Sequence, residues 1–302
     1  MEYKYFTTDV FTEKPFNGAQ VPVFPESAGL SDELMLKIAN ELSASNTVFV
    51  ESLGEASYKL RCFTPIKEVS VSSHTVMAAA HVLASNGSCP LGDKPVAIHF
   101  EGQNVDVQAH VSRNGDKPGM IEQSLTTHSA VDRFTPRHEE LAAMLSLSPA
   151  DIGFDHFEPL IVSCGTPYLI VPIKSYRAIQ EARFKFDPWS RSSAPSSLAQ
   201  DILLFANNTD PTVADFHTRL FGPDIAGYED PPVGATIPAF ANYLCAHPHI
   251  QLGTHCFAVE RGHSGARQSI INVEMDNRRL SDLTIRVGGK AVLMSESKLM
   301  LA

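Results

Sequence analysis

Two short stretches and one scattered cluster carry residues whose types and spacing could do chemistry. In the first, Ser73-His74-Thr75 leads directly into the apolar run Val76 to Leu83. In the second, Asp230 precedes Gly234-Ala235-Thr236, which opens another apolar run from Ile237 to Leu244. A histidine at a helix start is disfavoured as imidazolium by the positive helix end, so a neutral ring that polarises or shuttles a proton is expected of His74. Asp230 suits an acid or base role, and equally suits capping the turn before Pro231 and Pro232. Small residues at both starts (Ser72, Ser73; Gly234, Ala235) let ligand atoms approach free backbone N–H groups, which attract a carboxylate; they equally allow tight packing of a buried helix. The cluster is Cys245, His247 and His249 with His255 and Cys256 downstream. Its spacing matches no common zinc pattern, so a helix end and a turn are expected there, and no metal.

Those stretches must be positioned by a sizeable fold. The chain has 302 residues, 43% hydrophobic and 19% charged, enough for two ordinary domains with buried cores. A net charge of −10 leaves no basic stripe for phosphates, which argues against a nucleic-acid partner. No apolar run reaches the length of a membrane span, and the N-terminus opens into a strand pattern, so a cytoplasmic protein without a membrane partner is expected. Five cysteines form an odd set without CxxC spacing, as expected of reduced, mostly buried thiols.

In chain order, Tyr3 to Phe11 alternates as a strand, Lys14 to Gly18 is turn chemistry, and Val21 to Phe24 is a second strand. Ser31 caps a helix over 32–42, with Leu34, Ile38 and Leu42 on one face. Strands follow at Thr47 to Val50 and Tyr58 to Phe63. The helix from Thr75 to Ala84 is apolar nearly all round and must be surrounded by protein. Val96 to His99 and Val105 to Val111 form a hairpin, and 112–134 reads as polar and irregular. Thr135 and Pro136 open a helix running to about Leu147. Leu160 to Cys164, Tyr168 to Ile173, Ile202 to Phe205 and Phe216 to Phe221 are strands, with Ser190 to Ser197 a flexible loop. Strands at Ile270 to Met275, Leu283 to Val287 and Ala291 to Met294 close the chain.

The second half repeats the first. Arg61, Phe63 and Pro65 align with Arg219, Phe221 and Pro223; after a loop, Thr75, Ala78, Ala80 and Leu83 align with Thr236, Ala239, Ala241 and Leu244. Two copies of one unit are predicted, residues 1–125 and 126–302, with the last strand able to return to the first domain. Two such units leave a cleft between the helix starts, a favoured place for a ligand.

Spaced motifs run nearly end to end: Asp9-Val10-Phe11-Thr12 with Pro15, Phe16 and Gly18; Phe63-Thr64-Pro65 with Glu68; His74 with Ala79-Ala80-His81-Val82-Leu83; Glu229-Asp230-Pro231 with Gly234; and Val287-Gly288-Gly289 with Ala291-Val292. On these the chain resembles the phenazine-biosynthesis PhzF-like family, related in fold to diaminopimelate epimerase. The resemblance implies an α+β fold of two pseudo-symmetric domains, each a β-barrel-like sheet wrapped around a central buried helix. It further implies isomerisation by moving a proton on a small carboxylate-bearing substrate, without a cofactor, and commonly a homodimer.

Four loops depart from the family pattern. The family's proton-shuttling glutamate is Asn46, an amide that can hydrogen-bond but cannot carry a proton near neutral pH. Its Gly-His-Pro is Ser73-His74-Thr75, its Thr-Gly-Ser-Ala is Val233-Gly234-Ala235-Thr236, and its Gly-Asn-Pro is Gly18-Ala19-Gln20. The expected catalytic residues are therefore His74 and Asp230. The expected substrate contacts are Asn46, Ser73, Thr75, Gly234, Ala235, Thr236 and Gly18. Three readings stay open: an isomerase- or epimerase-like enzyme with altered chemistry, a non-catalytic small-molecule-binding protein, and a catalyst that works by shape without proton transfer.

Overall fold

The apolar stretch after Ser72 forms a helix in which Val76, Met77, Ala78, Ala79, Ala80, Val82 and Leu83 are wholly removed from solvent. Each of the larger side chains so buried contributes about 1.5–3 kcal/mol relative to exposure. A computed structural model describes residues 2–102, 106–207, 213–223, 225, 232–262, 267–278 and 282–300. The chain divides into two units, Met1–Leu125 with Arg286–Ala302, and Thr126–Ile285. The fold is α+β and dominated by strands.

The first unit runs β1 (Glu2–Val10), β2 (Ala19–Phe24), α1 (Asp32–Leu42), β3 (Thr47–Gly54), β4 (Ser57–Phe63), β5 (Glu68–Val69), α2 (Ser73–Ser85), β6 (Val96–Glu101), β7 (Asp106–Asn114) and most of β8 (Lys117–Thr127), whose last residues, from Thr126, belong to the second unit. The second holds β9 (Ala130–Asp132), α3 (His138–Leu145), β10 (Leu160–Cys164), β11 (Thr166–Pro172), α4 (Tyr176–Glu181), α5 (Phe186–Arg191), β12 (Asp201–Asn207), β13 (Phe216–Phe221), α6 (Ile237–Cys245), β14 (Thr254–Arg261) and β15 (Ser269–Asp276). The chain then passes through β16 (Leu283–Gly289), which crosses the division, into β17 (Ala291–Met300), which pairs antiparallel with β1.

Strand pairing exposes the repeat. In the first unit β1–β2 is antiparallel, β2–β3 parallel, β3–β4 antiparallel, β4–β6 parallel and β6–β7 antiparallel. In the second, β10–β11, β11–β12, β12–β13, β13–β14 and β14–β15 follow the same sequence of senses. Each parallel step carries a crossover, so α1 and α4 occupy matching places, as do α2 and α6. The matching extends to side chains. The Arg61 guanidinium lies 5.1 Å from the Phe63 ring centre, and that of Arg219 lies 4.6 Å from that of Phe221.

Local chemistry sets the ends. Ser31 accepts the Leu34 N–H at α1, and Ser43, at φ 51°, closes that helix through a bond to the Ala39 carbonyl. Three expectations need correction. The stretch 112–134 contains β8, whose inward positions are held by Gly119, Ile121, Gln123 and Thr127; with glycine, glutamine and threonine on the buried face, the alternation is invisible to hydropathy. Helix α3 starts at His138 rather than at Pro136, because Glu140 accepts the Arg137 N–H at 2.9 Å and fixes the cap there. Ser190 to Ser197 is not a loose loop: it holds the end of α5 and a 3-10 turn at Ala194–Ser196. There Ser192 and Ser197 donate to the Trp189 and Ala194 carbonyls at 2.7 Å. Among the described residues no helix is long and apolar enough to cross a membrane.

Candidate functional site

The loop that delivers His74 is held from both sides. After β4 the chain reverses at Thr64 to Lys67, and β5 pairs back, Phe63 opposite Glu68. Arg61 then grips Glu68 with two parallel bonds, Nε to Oε1 at 2.8 Å and Nη2 to Oε2 at 2.7 Å, and reaches Asp32 at the start of α1 at 2.6 Å. A two-pronged guanidinium–carboxylate pair fixes direction as well as distance. From this anchored strand Ser70 to Ser72 lead into α2. The Ser72 N–H donates to Thr75 Oγ1 at 2.9 Å, and the Thr75 hydroxyl donates to the Ser72 carbonyl at 2.8 Å.

His74 is 3% exposed, and among the described residues both ring nitrogens have a polar partner. Nε2 lies 2.9 Å from Asn46 Oδ1, and Nδ1 lies 3.0 Å from Ser72 Oγ. Behind Asn46, its Nδ2 donates to Cys62 Sγ at 3.3 Å. With the amide turned this way, Nε2 carries the proton and donates to Asn46, and Nδ1 accepts from the Ser72 hydroxyl. Burial pushes the Cys62 thiol up to about 12, so it remains a neutral backstop to the amide. Among the described residues the group of this arrangement that can exchange a proton is the imidazole, flanked by groups that orient it. Asn46 and Ser72 are half-buried.

The expected site residues fall in different places. Asn46 and His74 are brought together from 28 positions apart, with Ser73 and Thr75 buried on either side of His74. The Thr75 hydroxyl is engaged with the helix start. Gly18 lies between β1 and β2 at φ +70°, where an added Cβ would stand 2.2 Å from the Val10 carbonyl oxygen, so the turn itself requires glycine. In the second unit Gly234–Thr236 forms a 3-10 turn ahead of α6, with Gly234 and Thr236 buried and the Thr236 hydroxyl donating to the Val233 carbonyl at 2.7 Å. Asp230 lies outside the described residues.

One participant, Cys62, was not singled out for the site, and Ser72 was read only as a small residue at the helix start, not as a partner of His74. Ser72 had a visible signal, a hydroxyl residue at a helix cap two places before a histidine. Cys62 had none, since its contact with Asn46 depends on the register of β3 on β4. The histidines of the scattered cluster turn to the backbone and to rings: His247 Nδ1 donates to the Tyr243 carbonyl and His255 Nε2 to the Gln251 carbonyl, each at 2.8 Å. The rings of His247 and His249 pack on Phe157 at 5.0 and 4.8 Å between centres. Among the described residues no cluster of three metal-binding side chains occurs.

A family model described as "Phenazine biosynthesis-like protein" matches residues 8–297. An uncharacterized isomerase of Mesorhizobium japonicum is 27% identical over 302 residues, 98% of each chain. Among solved structures, a Bacillus anthracis phenazine biosynthesis protein of the PhzF family superposes with a TM-score of 0.87 over the whole of both chains at 21% identity. A hydroxyproline epimerase from Agrobacterium vitis with bound trans-4-OH-L-proline has the same fold at a TM-score of 0.64 and 10% identity, over 99% of this chain and 92% of its own.

Proposed function

The chain belongs to the phenazine biosynthesis-like protein family, and on that premise we propose that it is an isomerase- or epimerase-like protein for a small carboxylate-bearing metabolite, with His74 as its proton-handling group and Asn46 in place of a proton-carrying glutamate. The observation that carries this reading is the 2.9 Å bond between His74 Nε2 and Asn46 Oδ1 at the buried start of α2. A glutamate there could take a proton from one carbon and return it to another. An amide cannot, so proton exchange at this pair rests on the imidazole while Asn46 sets its orientation. Asp230 enters as a second acid–base group from the sequence alone.

The substrate class follows from the helix starts. The first-turn N–H groups of a helix favour an anion, and each start carries small residues, Ser73 at α2 and Gly234 and Ala235 ahead of α6. The hydroxyproline epimerase of the same fold holds a small amino acid, whose carboxylate is the kind of group proposed here. The proposed proton transfer draws on no cofactor. A homodimer belongs to the same proposal and is checked by light scattering of the purified chain.

The deciding experiment is deuterium wash-in from D2O into a panel of small amino and hydroxy carboxylates. Exchange that disappears in His74→Ala supports the reading; exchange that His74→Ala leaves intact sinks it. Saturable binding with no exchange in the native chain would favour a non-catalytic binding protein, which the loss of the glutamate at position 46 also accommodates. Asn46→Glu is expected to raise exchange, and no turnover of the phenazine precursor is expected before that change.

A further inference from the structure

The second unit holds a pocket at the far end of α6 from Gly234–Thr236. It has a volume of about 280 Å³ and is walled by the end of β8, the following turn, the last turn of α6 and the residues at either end of the β15–β16 connection. Its floor is Asn242, 7% exposed. The two N–H groups of the Asn242 amide are shared among three acceptors, Thr127 Oγ1 at 2.8 Å, Cys164 Sγ at 3.3 Å and the Pro238 carbonyl at 2.8 Å. These bonds fix the amide plane, and among the described residues its oxygen has no hydrogen-bond partner. That oxygen is not sealed from solvent, so it is an acceptor that a ligand in the pocket can reach.

The rest of the lining has the same polarity. Asp282 supplies a carboxylate whose described partner is the exposed His128 ring, 3.0 Å away at the rim. The last turn of α6 brings the negative end of a helix. The other side-chain amide, Asn277, is already committed: its oxygen accepts the Gly253 N–H at 2.7 Å and its nitrogen donates to the Gln251 carbonyl at 3.1 Å. The Thr127 hydroxyl donates to the Leu283 carbonyl at 3.4 Å. No lysine or arginine is among the described lining residues. The pocket therefore offers acceptors and negative charge, with few free donors.

We infer that this pocket binds a small molecule carrying a primary ammonium group. An ammonium has three N–H donors and no acceptor, which matches a fixed amide oxygen, a carboxylate and a helix C-terminal end. The space exceeds what a bare ion would fill, and Ile250 and Leu252 beside it suit a short carbon chain. The inference shares no residue with the His74 site and stands or falls separately from the proposed activity.

Cys245 lines the pocket, whereas Cys256 is exposed and does not, so one chain contains both a reporter and its control. The full chain is alkylated with iodoacetamide with and without n-butylammonium chloride at matched ionic strength, and labelling at each cysteine is followed by peptide mass spectrometry. At amine tenfold above its dissociation constant, Cys245 labelling should slow about tenfold while Cys256 is unchanged. Sodium butyrate should give no protection. Asp282→Asn should remove most of the protection, and Ser129→Lys, a change at an exposed wall position, should remove it by placing a resident ammonium in the pocket. Unaltered labelling of Cys256, Cys62 and Cys89, which lie outside the pocket, in the absence of amine shows that each variant is folded. Equal protection by butyrate, protection that survives both substitutions, or none at about 100 mM amine, where even a millimolar site is filled, would overturn the inference.

Discussion

At the start of α2 the Thr75 N–H and hydroxyl both reach the Ser72 carbonyl, at 3.0 and 2.8 Å; ahead of α6 the Thr236 N–H and hydroxyl reach the Val233 carbonyl at 2.9 and 2.7 Å. The backbone turn is thus the same in both units, yet the residue before the threonine is His74 in one and Ala235 in the other. Strand register extends the contrast. Thr47 pairs with Phe63 and Ile202 with Phe221, so with Phe63 and Phe221 as counterparts Asn46 corresponds to Asp201. The first unit has an amide and an imidazole where the second has a carboxylate and a methyl group. The repeat has kept what close packing and backbone hydrogen bonding demand, while the polar side chains have diverged.

The largest test of this contrast is His74→Ala against Ala235→Ser. Loss of the imidazole should lower deuterium exchange about 10²- to 10⁴-fold, the usual reach of general acid–base catalysis. Adding a hydroxyl at 235 should leave the dependence on His74 intact, and equal loss from both changes would erase the asymmetry.

Next come the matched arginines. Arg219 is 2% exposed, and its Nη1 donates to the Ile179, Gln180 and Ala182 carbonyls at the end of α4. Arg61 instead serves carboxylates that water can reach. Arg219→Met should cost about 3 kcal/mol in urea denaturation, since buried carbonyls lose their donor, and Arg61→Met about 1 kcal/mol.

The middles of the helices also differ. Six residues after each threonine stand His81 and Asn242. The Asn242 amide has three acceptors within reach, whereas among the described residues His81 Nδ1 is buried without a partner, and burial lowers the ring to about 4. Because the folded value lies below the unfolded one, near 6.5, the unfolded chain binds more protons between them. Stability from this residue is fully present above pH 6.5 and lost as pH falls toward 4, on the order of 3 kcal/mol across the window. His81→Gln should remove that part of the acid sensitivity, measured as the difference in unfolding free energy between pH 7.5 and 4.5. An unchanged pH slope would place the sensitivity elsewhere.

The smallest difference is at the threonines themselves. Thr75→Val should cost about 1–2 kcal/mol, because the Ser72 N–H loses its acceptor as well. Thr236→Val should cost about 1 kcal/mol, a gap visible in matched thermal melts.

The sequence by itself determined α1, β10 and β13 to the residue, because capping, alternation and turn residues act over a few positions. It also determined that α2 is surrounded by protein, since a helix without a polar face has no other stable place. Family motifs and the repeated Arg-x-Phe-x-Pro stretches were equally readable. Local reading failed where short-range signals were mixed: in β8, whose buried face carries glycine, glutamine and threonine, and in the serine-rich turn after α5, whose hydroxyls bond carbonyls rather than water. Tertiary structure alone decided the partners. That Asn46 meets His74, that Cys62 backs Asn46, that one repeated arginine faces carboxylates and the other carbonyls, and that Asn242 floors a pocket all follow from strand register and helix placement. Those bring together residues far apart in the chain, and a one-residue shift in register would turn the strand residues Arg61, Cys62 and Arg219 to the opposite face.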